Sequence, residues 1–221
     1  MTRIPLFPLG LVLLPGMSLP LHIFEERYKL MISECIAGDR PFGIVFFDGQ
    51  AVRSAGCTAR VLDVIKKYSD GRLDITTRGE RRFVILELLE EKPYMEARVD
   101  FFEDDKETPA ADESSELLSI AESLLQQMRK DGFLPLEATP SLSSDPGAMS
   151  FTIASLEGFT HDERQKILEM TSGIQRLRKC IDALARIRDR FQLTQVIEKI
   201  IGGNGQPPES ILKKLSDESD T

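Results

Sequence analysis

Two histidines, three cysteines and one acidic run are the side chains of this sequence best equipped for chemistry. His22 and His161 stand far apart, and neither has a metal-ligating neighbour at the short spacing that zinc sites use. His22 lies in an alternating Leu-His-Ile stretch and reads as a hydrogen-bonded, partly exposed strand residue. His161 falls in the first turn of a predicted helix. Cys35, Cys57 and Cys180 are odd in number and form no CxxC, so neither a disulfide framework nor a zinc site is expected. They read as reduced, buried, apolar side chains. Glu103-Asp104-Asp105 is a carboxylate cluster that could attract a cation, although such spacing on a loop is unspecific. The plainer reading is a solvated linker face. A nucleophile needs an orienting base, and no GxSxG elbow, Ser-Lys signature or convincing Cys57–His pairing is present.

Phosphate chemistry is equally thin. No GxxxxGK[ST] occurs, and no GxGxxG follows a strand. Gly202-Gly203-Asn204-Gly205 follows a helix rather than opening one, so it reads as a stop. Arg78, Arg81 and Arg82 surround Gly79 in TTRGERRF, and Lys66-Lys67 lies upstream. These groups could hold a phosphate or carboxylate. The alternative is a solvated turn with an arginine paired to a neighbouring glutamate. RLRKC and RIRDR read as the polar face of a long helix. The formal net charge of −8 weighs against nucleic acid and anionic lipid, which need basic surfaces.

These residues need elements to position them. The first 24 residues are rich in Leu, Val, Ile and Phe, but Pro5, Pro8, Pro15 and Pro20 interrupt every apolar run. A signal peptide or spanning helix is therefore not expected, and a soluble, cytoplasmic protein is. Arg3 to Leu9 and Leu19 to Phe24 read as edge-type strands joined by a buried turn at Pro15-Gly16. Leu6 or Phe7, Val12, Leu14 and Leu21 are the predicted core residues. Glu25 to Ile36 carries helical spacing, with Gly38 as the stop. Strands are expected over Phe42 to Phe47, Cys57 to Tyr68, Arg72 to Thr77, Phe83 to Leu89 and Tyr94 to Phe102. Asp70-Gly71 is a hairpin turn, and Gly79 is read as a break.

Helices follow, over Ser114 to Lys130, Ser150 to Leu156, Thr160 to Met170 and, preceded by Ser172 or Gly173, a longest helix running to Ile201. Thr160 and Glu163 form a capping box. The last helix carries a core stripe from Ile174 through Leu177, Ile181, Leu184, Ile187 and Phe191 to Val196, Ile197 and Ile200. Strands first and helices afterwards predict an α+β protein. A β-rich lobe is expected over residues 1–107, a helical lobe over 108–202 and a polar tail over 203–221, with one helical turn around Ile211 to Leu215.

The order of these pieces resembles one family. IPLFPLGLVLLPGMSLPLHIFEERY, PFGIV at Pro41 to Val45, GCTARV at Gly56 to Val61, DGR at Asp70 to Arg72, GERRF at Gly79 to Phe83 and ERQKILEMTSGIQRL at Glu163 to Leu177 resemble the Lon protease N-terminal, substrate-binding domain. The resemblance spans roughly residues 3–200. It implies a small PUA-like β-barrel followed by a C-terminal helical bundle. The family's ATPase and peptidase modules have no counterpart up to Thr221, so a stand-alone, non-catalytic member without cofactors is the expectation. The resemblance implies binding of unfolded or flexible polypeptide segments, with a protease or chaperone as associate. A groove between barrel and helices would supply the apolar surface, with Phe46, Phe47, Tyr68, Phe101 and Phe102 as candidate contacts. RNA or nucleotide binding through the barrel and a small hydrolase are the alternatives.

Overall fold

The computed structural model describes residues 1–106, 111–134 and 143–202. The acidic join at 107–110, the loop at 135–142 and the predicted tail at 203–221 lie outside the described residues. Strands β1 (Thr2–Leu9), β2 (Ser18–Ile23), β3 (Phe42–Phe47), β4 (Val52–Lys67), β5 (Leu73–Leu89) and β6 (Glu96–Phe102) come first, with helix α1 (Glu26–Ala37) between β2 and β3. Helices α2 (Ala111–Lys130), α3 (Pro146–Ala154), α4 (His161–Glu169) and α5 (Gly173–Gly202) follow.

Five strands close a ring. β1 pairs with β3 in parallel and with β6 antiparallel. Antiparallel pairs β3–β4, β4–β5 and β5–β6 complete it. Closure removes edges that would otherwise stay open. Ile4, Leu6, Val45, Phe83, Ala97 and Val99 fill the inside. β2 joins only the first half of β5, so β2, β5 and β4 extend as an arm beyond the ring. The arm ends in the expected hairpin, with Gly71 at φ 83° and the Tyr68 N–H donating to Arg72 O at 2.9 Å.

Several expectations change. β1 is interior, not an edge strand. Its prolines are tolerated because its two halves pair on opposite sides. Residues 2–5 face β6 and residues 6–9 face β3. The Leu6 N–H donates to Met95 O at 2.8 Å, so strand alternation turns the Pro8 nitrogen to that same side, beyond the end of β6. The Pro5 nitrogen faces the other side, before the β3 register begins.

Gly79 does not break a strand, because β5 runs through it. A Cβ there would lie 2.1 Å from the Leu14 carbonyl oxygen. The glycine admits the β1–β2 turn, which is tied down by Gly79 N–H to Met17 O at 2.9 Å and Gly16 N–H to Gly79 O at 2.8 Å. Pro15-Gly16 forms that turn, as expected. Gly16 takes φ 80°, and the Met17 N–H donates to Leu14 O at 3.1 Å. Val12, Leu13 and Leu14 are buried beneath it. Leu21 is half-buried against the core, on the same face of the short β2 as the buried Leu19 and Ile23.

In the helical lobe Thr160 and Glu163 make the expected capping box. α3 starts at Pro146, earlier than expected, because the Asp145 carboxylate caps it through the Ala148 N–H at 2.7 Å. The stripe of α5 is buried at Leu177, Leu184 and Ile187, but Ile197 is exposed. α5 continues past the end of α2, where Gln195 donates to Asp131 O at 3.2 Å. One buried cluster joins the lobes, running from Phe7 and Leu14 to Met149, Leu177 and Leu184.

Candidate functional site

The most saturated polar group lies where the lobes meet. Arg82 comes from β5, Asp104 from just beyond β6, and Arg176 from the first turn of α5. Arg176 is 0% exposed and Arg82 4%. All five N–H donors of Arg176 are engaged. They reach Asp104 Oδ1 at 2.7 Å and Oδ2 at 2.5 Å, Met170 O at 2.8 Å, Gly147 O at 3.2 Å and Ser150 Oγ at 2.7 Å. Arg82 also donates to Asp104, and to Leu168 O at 3.1 Å and Met170 O at 2.5 Å. The Phe151 ring packs 3.9 Å from the Arg176 guanidinium. A Cβ at Gly147 would stand 2.7 Å from Asp104 Oδ2, so only glycine fits there.

Burial pushes the Asp104 carboxyl up, but the hydrogen bonds and charge of Arg176, with Arg82, outweigh it and hold the carboxyl below its ordinary range. Burial lowers Arg82. Asp104 is therefore no solvated linker residue, Arg82 no solvated turn and Arg176 no part of a polar helix face. A tertiary contact outcompeted the local reading at all three. With its oxygens claimed by two arginines, Asp104 is a latch and not a free base.

Burial pushes the Cys35 thiol up to about 11 and the Cys57 and Cys180 thiols up to about 12, so none is a ready thiolate. His22 Nδ1 sits 2.5 Å from Asp74 Oδ1 on the arm. His161 opens α4, with its ring centroid 5.3 Å from that of Phe46. Among the described residues no three His, Cys, Asp or Glu side chains are grouped to hold a metal ion, and no helix is long and apolar enough to cross a membrane.

The second region is open. α1 and the arm of β4 face each other across a channel. One part, about 620 Å³, lies between Leu30, Ser33 and Ile36 of α1 and Val64, Lys67 and Leu73 of the hairpin. The next part, about 350 Å³, shares Ile36 and Val64 and continues past Leu62 to Arg40 and Arg60. Aliphatic side chains around it reach solvent. Leu62 is 56% exposed and Ile65 64%, and Leu30, Ile36 and Val64 are exposed too. Leu62 and Ile65 are the extra residues of two β-bulges, at the register shifts Val61/Asp63 and Val64/Lys66. Bulges re-aim side chains, and here they turn two aliphatics outward. The outer side of β4 pairs with β3 only as far as Phe42–Ala59. Beyond that point it has no partner strand among the described residues.

The five aromatic candidates are not brought together. Phe46 is buried and Phe47 exposed. Tyr68, on the hairpin, donates to Asp74 Oδ2 at 2.8 Å and lies 4.4 Å beneath Lys66 Nζ. Phe101 lies under Arg81 and Phe102 under Arg82, at 4.1 and 4.6 Å. A cleft between the lobes does exist, about 340 Å³, lined by Met17, Arg78, Phe151 and Ser155 and by none of the five. Sequence reading missed the channel because its residues break the alternation expected of a strand. VLDVIKK, with apolar residues on both faces, was the available signal.

Comparison with known proteins places the fold. The sequence model described as the ATP-dependent protease La (LON) substrate-binding domain matches residues 3–186. The chain is 27% identical over 214 residues to Lon protease 2 of Myxococcus xanthus, covering 90% of this chain and 25% of that protein. It is 27% identical over 216 residues to Lon protease of Anaeromyxobacter dehalogenans, with the same coverage. The chain thus spans about a quarter of the length of these relatives. The crystal structure of a Lon N-terminal domain protein from Xanthomonas campestris superposes with a TM-score of 0.65 at 23% identity, covering 82% of this chain and 98% of that one. The N-terminal domain of Mycobacterium avium complex Lon protease gives a TM-score of 0.65 at 23% identity, covering 83% and 98%. The α+β fold, a β-barrel followed by helices, is that of these Lon N-terminal domains. The chain belongs to the family of ATP-dependent protease La (LON) substrate-binding domains.

Proposed function

We propose that this chain is a non-catalytic binding module that holds exposed apolar segments of polypeptides, in the service of proteolysis or protein quality control. Family membership supports a substrate-binding role. The observation that carries the finer reading is the solvent-facing aliphatic surface of Leu30, Ile36, Leu62 and Val64 along the α1–β4 channel, with the exposed Ile65 next to it on β4. Covering the exposed part of each such side chain contributes about 1 kcal/mol, and ordering a flexible ligand offsets part of the sum. Micromolar, sequence-tolerant affinity follows, which suits capture and release.

The test is binding of a fluorescently labelled, reduced and carboxymethylated model protein, followed by anisotropy. Changing Leu62→Ser with Ile65→Ser is expected to weaken binding about tenfold, with the melting temperature kept. Equal binding by the double variant would move the site elsewhere. No binding by the parent protein would end the reading.

A further inference from the structure

From the open edge of β4 we infer a mode of capture. The bound polypeptide adds as an extended strand along Leu62–Lys67, and its preferred segments are aliphatic in the middle and acidic at the ends. This inference rests on the polypeptide-binding reading and deepens it. Its first ground is the backbone. Past Phe42–Ala59 the outer side of β4 has no strand beside it among the described residues, while its inner side is held by β5 as far as Lys67–Leu73. A row of unpaired N–H and C=O groups is a template for another extended backbone. The channel leaves room for one between that edge and α1. Leu30 and Ile36 on α1 and Val64 on β4 then flank the added strand from both sides.

The second ground is charge. Among the described residues, Arg40 at one end of the channel and Lys67 at the other have no carboxylate within ion-pair distance, and Lys66 rests on Tyr68. The other basic residues of the channel are engaged. Lys29 is bonded to Glu26 and Arg60 to Asp39 and Glu80. Two unpartnered cations at the two ends favour carboxylates on the two flanks of the occupant. Asp63 and the two bulges disfavour flat, in-register pairing of two copies of this edge. The occupant is therefore a foreign segment and not a second copy of the chain.

The experiment uses the full chain and a synthetic peptide of alternating Val and Ser between Glu-Glu ends, with binding read by anisotropy. A set of peptides is N-methylated at one residue each. Strand addition uses the N–H of every second residue, so methylation should weaken binding about tenfold at alternate positions and little in between. The paired change Arg40→Glu with Lys67→Glu should weaken the Glu-ended peptide and favour a Lys-ended one. Binding that is indifferent to methylation, yet lost in the Leu62→Ser, Ile65→Ser variant, would overturn strand addition and leave polypeptide binding intact. Failure of both the peptide and the carboxymethylated protein to bind would overturn both. Dimerisation of the free chain that Val64→Pro abolishes, seen by sedimentation, would assign the edge to a second copy and also overturn the inference.

Discussion

The latch between the lobes and the channel beside α1 are built on opposite principles. At Arg82, Asp104 and Arg176, strong donors and acceptors meet at short range, and all five N–H groups of Arg176 are satisfied. At β4, a backbone edge, several aliphatic side chains and two cations have no partners among the described residues. A satisfied polar network fixes a structure and has nothing left to offer a ligand. An unsatisfied edge adds little to the fold and keeps its bonding capacity for a guest. The contrast separates what holds this molecule together from what it can hold.

The largest expected effect comes from breaking the latch. Arg176→Met leaves Asp104 and the Gly147 and Met170 carbonyls short of donors, and should cost about 3–5 kcal/mol in urea unfolding. A cost under about 1 kcal/mol would show that the network is dispensable. Gly79→Ala comes next, since its Cβ collides with the Leu14 carbonyl. A loss of about 1–3 kcal/mol is expected, and wild-type melting would contradict the account of the β1–β2 turn.

Acid sharpens the comparison further. The folded-state pKa of Asp104 is depressed, so its contribution is present above the unfolded carboxylate value of about 3.9 and is lost as pH falls through the folded value. Asp104→Asn should be less stable than the parent at neutral pH, and the gap should narrow below about pH 4. A gap constant with pH would remove Asp104 as the titrating group. Thr160→Ala, which deletes the capping box of α4, should cost about 1 kcal/mol. In the channel, Leu62→Ser should change stability by no more than about 0.5 kcal/mol.

Much of the fold was readable because local chemistry dictated it. Asp70-Gly71, Pro15-Gly16 and the Thr160–Glu163 box each specify their own geometry. Gly79 was misread because a glycine that breaks a strand and one that admits a neighbouring backbone look alike in sequence. The latch was illegible for a related reason. Arg176 sits one turn before the buried Cys180 on the core face of α5, but its carboxylate partner lies far away along the chain. The channel was missed because bulges turn Leu62 and Ile65 outward, and their only local mark was the run of apolar residues on both faces of VLDVIKK. Phe46, Phe101 and Phe102 drew attention as aromatics, yet they are engaged in packing with His161, Arg81 and Arg82.

The most direct measurement is amide hydrogen exchange of the full chain with and without an excess of the carboxymethylated model protein. The account predicts new protection along Leu62–Lys67 and on α1, with the segments carrying Arg82, Asp104 and Arg176 unchanged. Protection confined to the cleft at Met17 and Phe151, or none at all at saturating ligand, would contradict it.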